Sequence, residues 1–506
     1  MSTSRRLWEI LPGALTWTTI IGLLLLSRVA PKFVATFVIL YAAYWLVKII
    51  IMTSYLVAGY FRYQRDSKVN WRSRLDSEFS SNWERLYHLA IVPTYKEDIT
   101  ILRQTLGAIK ASDYPTGQLI VIVAFESRDQ ELAPKYAQTL MHEYEHAFGG
   151  FLTTFHPGDI PGEVRGKGPN ITWAARQAQE WLADHKIKFD DVIVTTLDAD
   201  NRVDRQYFSN VAWAFLNDPD PHHKSFQPIP MFFNNIWQVP LAVKITAMGS
   251  SFWQMIQAMR PHFARNFSAH SQSFKALLQT DFWSVQTIVE DGHQYWRSYF
   301  TFNGNHHIVP IFVPVYMDAV QGDNIISTFR EQYLQRRRWF WGVSDIPYVF
   351  VNAYGNGSIP FLPKWWQFAQ LMESHWSLPT QSFILMIGWL PSLTNLQFQN
   401  SVFGYNFPIL YRTFLLAAWI GMIASMAIAS LIVPPRPGRK VYYYLAILKE
   451  WLLAPIMLTV TAIVFSALPS IDSQTRMMFN KPFTVFNVTK KIAVPSGVIR
   501  VGSSDQ

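Results

Sequence analysis

The chain contains no cysteine. That excludes a disulfide-stapled scaffold and any zinc or iron–sulfur centre held by thiolates, so a catalytic metal would have to be held by oxygen or imidazole. Charge is scarce as well. Asp, Glu, Lys and Arg make up 16% of the 506 residues, against about a quarter in soluble domains. A disordered chain needs high charge and low hydrophobicity, whereas this one is 50% hydrophobic and 15% aromatic. The same shortage argues against a plain soluble enzyme. Internal repeats and low-complexity tracts are absent. What charge there is leans basic, with 44 Lys+Arg against 35 Asp+Glu and a net charge of +9. Such an excess suits nucleic acid or an anionic lipid face. The basic residues cluster beside apolar runs and in one helix, not along an aromatic-laced groove, so membrane lipids are the expected partner and nucleic acid is not.

The apolar residues set the organisation. Residues 11–27 carry no charge and are flanked by Arg5, Arg6 and Arg28; residues 33–56 form a second run interrupted only by Lys48. A bilayer core needs about 20 apolar residues per helix, so residues 1–60 are expected to hold two transmembrane helices joined near Pro31. Six arginines and lysines follow between Arg62 and Arg85, which by the positive-inside rule places this side in the cytoplasm. Three further runs, 376–393, 413–435 and 451–471, are uncharged over about a span length each. Residues 346–375, with Lys364, Trp365 and Trp366, suit an interfacial helix, and 472–506 form a tail. The expectation is a multi-pass protein of the plasma or inner membrane. Five spans would put the C-terminus outside, yet Arg476, Lys481, Lys490, Lys491 and Arg500 favour inside. Either one C-terminal run is re-entrant or interfacial, with Pro455 and Pro469 marking the last run as the suspect, or the positive-inside rule fails here.

Residues 85–345 read differently. Short apolar runs at 86–93, 119–125, 150–156 and 191–197 alternate with helical spacing at 99–110, 130–148 and 170–185. Alternation of this kind predicts an α/β domain with a parallel sheet covered on both faces. Ligands in such sheets sit beyond the carboxyl ends of the strands. There the sequence places Thr94 and Glu97, then Glu126, then Asp198-Ala199-Asp200. Two carboxylates in a D-x-D tip can hold a hard divalent cation that bridges to phosphate oxygens; equally, such a tip can be a turn that only ends a strand. Three acidic strand ends in one sheet favour a site. Downstream, Glu290-Asp291 follows an apolar run and suits a helix start or a general base. Gly166-Lys167-Gly168 precedes a helix and could meet phosphate. In Gln335-Arg336-Arg337-Arg338-Trp339 the three arginines point around a helix, so they cannot all serve one ligand. One Gln and one Arg on a face could clamp a diphosphate; the others should face solvent or lipid phosphates.

Taken in order, Pro93-Thr94-Tyr95-Lys96-Glu97, the acid at 126, Gly166-Lys167-Gly168, Asp198-Ala199-Asp200, Glu290-Asp291 and Gln335-Arg336-Arg337-Arg338-Trp339 resemble the motifs of membrane-embedded family two glycosyltransferases. That group includes cellulose, hyaluronan and chitin synthases and ceramide glucosyltransferase. Residues 473–490 also resemble the tail of some members. The resemblance implies a cytoplasmic GT-A (Rossmann-like) domain inserted between N- and C-terminal transmembrane helices, moving a sugar from a nucleotide-diphosphate donor, UDP-sugar above all, with inversion. Carried over, Thr94, Glu97 and Glu126 would meet the nucleotide, with Glu126 at the uracil, and Lys167, Gln335 and Arg338 the diphosphate. Asp198 would contact the nucleotide sugar, Asp200 with Asp198 would bind Mg²⁺ or Mn²⁺, and Asp291 would be the base. Trp339 and Glu290 would line the acceptor site. The single acid at 126, where the family usually has paired aspartates, and residues 318–328 depart from the pattern of cellulose synthases. The resemblance implies a glycan acceptor, extended processively, or alternatively a lipid receiving one sugar as in ceramide glucosyltransferase. A catalytically degenerate sensor is the reading from a different class, against which the intact acids and Arg338 speak.

Overall fold

The computed structural model describes residues 3–436 and 440–483. Most of the basic tail, and residues 484–490 of its family resemblance, lie outside the described residues.

Eight strands form one sheet in the order β3-β2-β1-β4-β7-β6-β8-β5. They are β1 Tyr87–Pro93, β2 Leu119–Glu126, β3 Gly150–His156, β4 Val192–Thr196, β5 Arg202–Val203, β6 Lys224–Met231, β7 Ser271–Ser273 and β8 His307–Tyr316. Alternate residues of β1 and β2 pack on opposite faces, as the two-residue repeat of a strand requires. Leu89, Ile91, Ile120 and Ile122 meet Ile171, Ala174, Ala178 and Leu182 of the helix Lys167–Asp184. Ala90, Val92, Val121 and Val123 share the other core with Leu102, Leu106 and Ile109 of the helix Ile99–Lys110. Asp98 starts the latter helix by accepting from Thr100 N at 2.7 Å.

The sheet is continuously parallel from β3 through β2 and β1 to β4. Beyond β4, β7 runs antiparallel to both β4 and β6, β8 is parallel to β6, and β5 is antiparallel to β8. The expected all-parallel sheet is thus a mixed one. Strands of two and three residues such as β5 and β7 are too short to leave a periodic signal in the sequence.

Among the described residues, four helices are long and apolar enough to cross a membrane: Arg5–Val29, Pro31–Asp66, Val402–Ile432 and Val441–Met478. The expected span at 376–393 is not among them. Its residues 376–387 belong to the helix Phe361–Ile387, which carries Lys364, Glu373 and His375, so the boundary drawn at 375 falls inside one continuous helix. That helix runs beside the first one: Trp8 packs on Phe368 and Trp376 Nε1 donates to Thr19 Oγ1 at 3.0 Å. Further on, Thr394 Oγ1 donates to Ser27 O at 3.3 Å. The last long helix is tied to the α/β domain along its length. Lys244 Nζ pairs with Glu450 at 2.7 Å, Arg336 Nε donates to Phe465 O at 2.9 Å, and Arg337 pairs with Asp472 at 3.0 Å.

Candidate active site

The carboxyl ends of β1, β2 and β4 lie side by side, with Pro93 in register with Ala124 and Ile91 with Thr196. Residues that leave these strands therefore gather at one edge. A cavity of about 330 Å³ opens there, and every sequence-predicted site residue borders it: Thr94, Glu97, Glu126, Lys167, Asp198, Asp200, Glu290, Asp291, Gln335, Arg338 and Trp339.

After β1 the chain turns through Lys96, whose φ is +65°. The turn folds Glu97 back, and its Oε2 accepts from Thr94 Oγ1 at 2.9 Å and Tyr95 N at 2.5 Å. At the end of β2, Glu126 is 3% exposed. Arg128 reaches its carboxylate through Nη2 at 2.8 Å, and His156 Nδ1 lies 3.4 Å away. Burial opposes charge on His156, but Glu126 and Glu163 outweigh it and raise the imidazole above its ordinary value. Glu126 is therefore already matched by the Arg128 guanidinium. Arg128, which also stacks 4.7 Å over the Tyr95 ring, is the positive group at this end of the cleft that sequence reasoning passed over.

The centre of the cleft is a knot of charges. Lys167 stands at the first residue of its helix with a 7% exposed side chain, and its Nζ lies 3.0 Å from Asp198 Oδ1, 3.3 Å from Asp291 and 3.7 Å from Glu290. Burial alone would lower this ammonium, but Asp198, Asp291 and Glu290 together raise it. Lys167 thus faces carboxylates, where the sequence suggested phosphate alone. Gly168 permits the approach: a Cβ there would lie 2.4 Å from Ser284 O. Glu290 and Asp291 open the helix Glu290–Thr301, with Val289 at the position before it and no side-chain cap there. Glu290 is 3% exposed, and burial first, then the charge of Asp291, pushes its carboxyl up to about 8. The Asp291 side chain is more open, at 21%.

In the turn after β4, Ser268 Oγ donates to Asp198 Oδ2 at 2.6 Å, and Asp318 N donates to Asp200 Oδ2 at 3.1 Å. Among the described residues there is no cluster of three or more His, Cys, Asp or Glu side chains placed to hold a metal. The expected cation, Mg²⁺ or Mn²⁺, is a hard ion that takes its other oxygens from water and a substrate's phosphates. Asp198 and Asp200 would hold it.

The three arginines separate as helix geometry demands. Arg336 and Arg337 bind Phe465 O and Asp472, so they anchor the C-terminal helices where solvent or lipid phosphate was expected. Arg338 enters the cleft; burial lowers its guanidinium from the ordinary value, against the opposing pull of Asp198, Glu290 and Asp291. Trp339 packs edge-on against Phe267 at 5.5 Å.

Sequence reasoning missed three more residues at the site. His270 is 1% exposed, with Nδ1 3.1 Å from Phe267 O and 3.6 Å from Asp291 Oδ1. Burial keeps it below its ordinary value. Asp318 follows β8 and accepts from Asn234 Nδ2 at 2.8 Å. Asp345, at the start of the helix Asp345–Gly355, lies 2.6 Å from His293 Nδ1. Only Asp318, as an acid just past an apolar run, carried a signal that strand-end reasoning could have used.

The fold and the cleft define an α/β protein with clustered acids and cations at the carboxyl edge of its sheet, joined to helices suited to a membrane. No family model matches the chain, and no curated protein matches it. Among solved structures it is similar to a mannosyltransferase, PcManGT from Pyrobaculum calidifontis, in complex with GDP-Man and Mn²⁺, at 15% identity and a TM-score of 0.44, covering 86% of this chain and 99% of that one. It is also similar to S. aureus TarS 1-349 with UDP-GlcNAc, at 13% identity and a TM-score of 0.37, covering 78% and 91%. A third is GalNAc-T7 with UDP, GalNAc and Mn²⁺, at 11% identity and a TM-score of 0.36, covering 58% of each chain. At these identities the activity has to be argued from the site's own residues.

Proposed function

We propose that the protein is a membrane-embedded, inverting glycosyltransferase of the family two kind, with a GT-A domain that moves a sugar from a UDP-sugar to a glycan at the cytoplasmic face. The observation that carries this reading is the convergence of Asp198, Asp291, Lys167 and Arg338 on one cleft. Single displacement at an anomeric carbon needs a base on one side and a neutralised leaving group on the other. In this reading Asp291 takes the proton of the acceptor hydroxyl, its oxygen bonds to the anomeric carbon, and the bond from that carbon to the diphosphate breaks. Arg338 offsets the charge that develops on the diphosphate, inside a cleft where such interactions are strengthened, while Lys167 orients Asp291 and Asp198. A divalent cation, when bound at Asp198 and Asp200, supplies further neutralisation of the leaving group.

The arrangement of helices supports a cytoplasmic return of the chain. Because Val441–Met478 is tied to the α/β domain at Glu450, Phe465 and Asp472, we assign it to the membrane face of that domain. The helix Phe361–Ile387 is not among the four helices apolar enough to cross by composition, but it runs beside the first helix, and in this reading it is the crossing segment. The number of crossings stays even, and the basic residues Arg476 and Lys481 fall on the same side as the domain.

The test is direct. Purified protein in detergent is screened against UDP- and GDP-sugars with and without Mn²⁺, and the product is sized. Cation-dependent turnover of a nucleotide sugar is expected, with a ladder of products for processive synthesis and one lipid-linked species for single transfer. Failure to consume any donor would overturn the reading.

A further inference from the structure

A second cavity, of about 490 Å³, opens between the helix Leu241–Ala258 of the α/β domain and the start of the last long helix, and its lining residues differ from those of the cleft. Lys244, Arg436, Lys449, Glu450, Trp237 and Tyr442 form its polar and aromatic wall. The charge there does not balance. Glu450 is taken up by Lys244, whose Nζ lies 2.7 Å from one carboxylate oxygen and 2.9 Å from the other. Among the described residues no other acid borders the cavity, so three cations against one carboxylate leave an excess of two positive charges. Arg436 and Lys449, which carry that excess, are both exposed. Burial lowers the Lys244 ammonium; Glu450 opposes this, and Arg436 lowers it further.

The wall is held in place. Trp237 Nε1 donates to Pro434 O at 2.8 Å, which fixes the turn that carries Arg436. Lys244 Nζ lies 3.5 Å and Arg436 Cζ 6.0 Å from the Trp237 ring, and Tyr443 meets that ring edge-on at 5.9 Å. Beside the cations the helix Lys440–Ala462 is apolar. Leu445 borders the cavity, and Leu448, Leu452 and Ile456 continue from it at three- and four-residue spacing, all exposed. A cationic cavity at the head of an exposed apolar stripe has the form of an amphiphile. A free anion would satisfy the cations and leave the stripe in water, where its apolar area is unfavourable.

We propose that this cavity binds the headgroup phosphate of an anionic phospholipid, which Arg436 and Lys449 hold by charge-assisted hydrogen bonds while an acyl chain lies along Leu445, Leu448, Leu452 and Ile456. A zwitterionic headgroup brings a cation of its own to a cavity that already has too many, so it binds less well. The inference rests on the placement of Val441–Met478 at the membrane face of the α/β domain and on no part of the transfer chemistry.

The test uses the full-length protein in detergent, titrated with dioleoylphosphatidylglycerol, dioleoylphosphatidylcholine or inorganic phosphate. Binding is read from the concentration dependence of the unfolding midpoint, and bound lipid is counted by native mass spectrometry. The parent is expected to retain phosphatidylglycerol in preference to phosphatidylcholine. Each cation removed should weaken phosphatidylglycerol binding about fivefold, so Arg436→Gln combined with Lys449→Gln should weaken it about 25-fold. Both side chains are exposed, and the midpoint without lipid checks that the variant folds. Because the chain has no cysteine, Leu448→Cys carries a single spin label, expected beneath the headgroups in phosphatidylglycerol nanodiscs. Phosphatidylglycerol affinity within about twofold of the parent in the double variant, with the label beneath the headgroups, would overturn the site alone. Inorganic phosphate that stabilises the protein as strongly as phosphatidylglycerol would overturn a lipid as the ligand. A label in bulk water would overturn the placement of the helix and the site with it. Sugar transfer is read in none of these arms, so the transferase reading is judged separately by its own donor screen.

Discussion

The ammonium of Lys167 lies 3.3 Å from both carboxylate oxygens of Asp291. A residue that the sequence places in a glycine-flanked loop thus rests on the proposed base, and it bridges that base to Asp198 at 3.0 Å. The pairing settles what each partner's removal should do.

Replacing Lys167 by Ala leaves Asp198, Glu290 and Asp291 facing one another without their shared cation. Breaking a buried pair from one side costs about 3–5 kcal/mol. A marked fall in the unfolding midpoint is expected, read by thermal or denaturant unfolding in detergent; a variant as stable as the parent would show that the knot contributes nothing to folding.

Asp291→Asn should separate chemistry from stability. Its carboxylate is the more open of the pair, so the variant is expected to fold, while sugar transfer falls by about 10²–10⁴, the range for loss of a general base. Initial rates with a saturating donor measure this. Transfer that continues at the parent's rate would remove Asp291 from the mechanism.

Glu290 predicts a pH signature in stability. Its carboxyl is pushed up from 4.5 to about 8 by burial and by Asp291. A group with a raised native pKa holds its proton more tightly in the folded state, so its contribution is complete below about pH 4.5 and is lost as pH climbs through about 8. The slope is at most about 1.4 kcal/mol per pH unit. Glu290→Gln should flatten the fall in stability between pH 5 and pH 8. An unchanged profile would show that another group titrates there.

Arg337 and Arg338 are adjacent yet should respond oppositely. Arg337→Ala removes the tie to Asp472 at 3.0 Å and is expected to loosen the C-terminal helices, read as faster proteolysis near residues 468–478, with a small effect on donor KM. Arg338→Ala should leave proteolysis alone and cut turnover by about 10²–10³, as loss of one group stabilising transition-state charge does.

Gly168→Ala brings a Cβ to within 2.4 Å of Ser284 O. Backbone has to move, so a loss of about 1–3 kcal/mol is expected from overpacking alone. Unfolding midpoints measure it, and an unaffected midpoint would show that the helix start tolerates displacement.

The sequence by itself determined the local units. β2 is apolar from Leu119 to Phe125 and fully buried, and the helix Ile99–Lys110 begins and ends where its periodicity does. The acids at strand ends were legible because a parallel sheet carries its ligands there, whatever the rest of the chain does. The apolar runs near the termini were legible because bilayer thickness fixes a length. Tertiary structure decided the rest. β5 and β7 exist only because longer neighbours offer them unpaired backbone. Whether an apolar helix crosses a membrane or lies along a domain depends on contacts such as Glu450 with Lys244, and hydropathy does not encode contacts. The same holds at the site. Lys167 lies 124 residues from Asp291 in sequence, and His293 lies 52 from Asp345. Their pairing arises from the packing of helices against the sheet edge, which brings charges together at distances no spacing rule reaches.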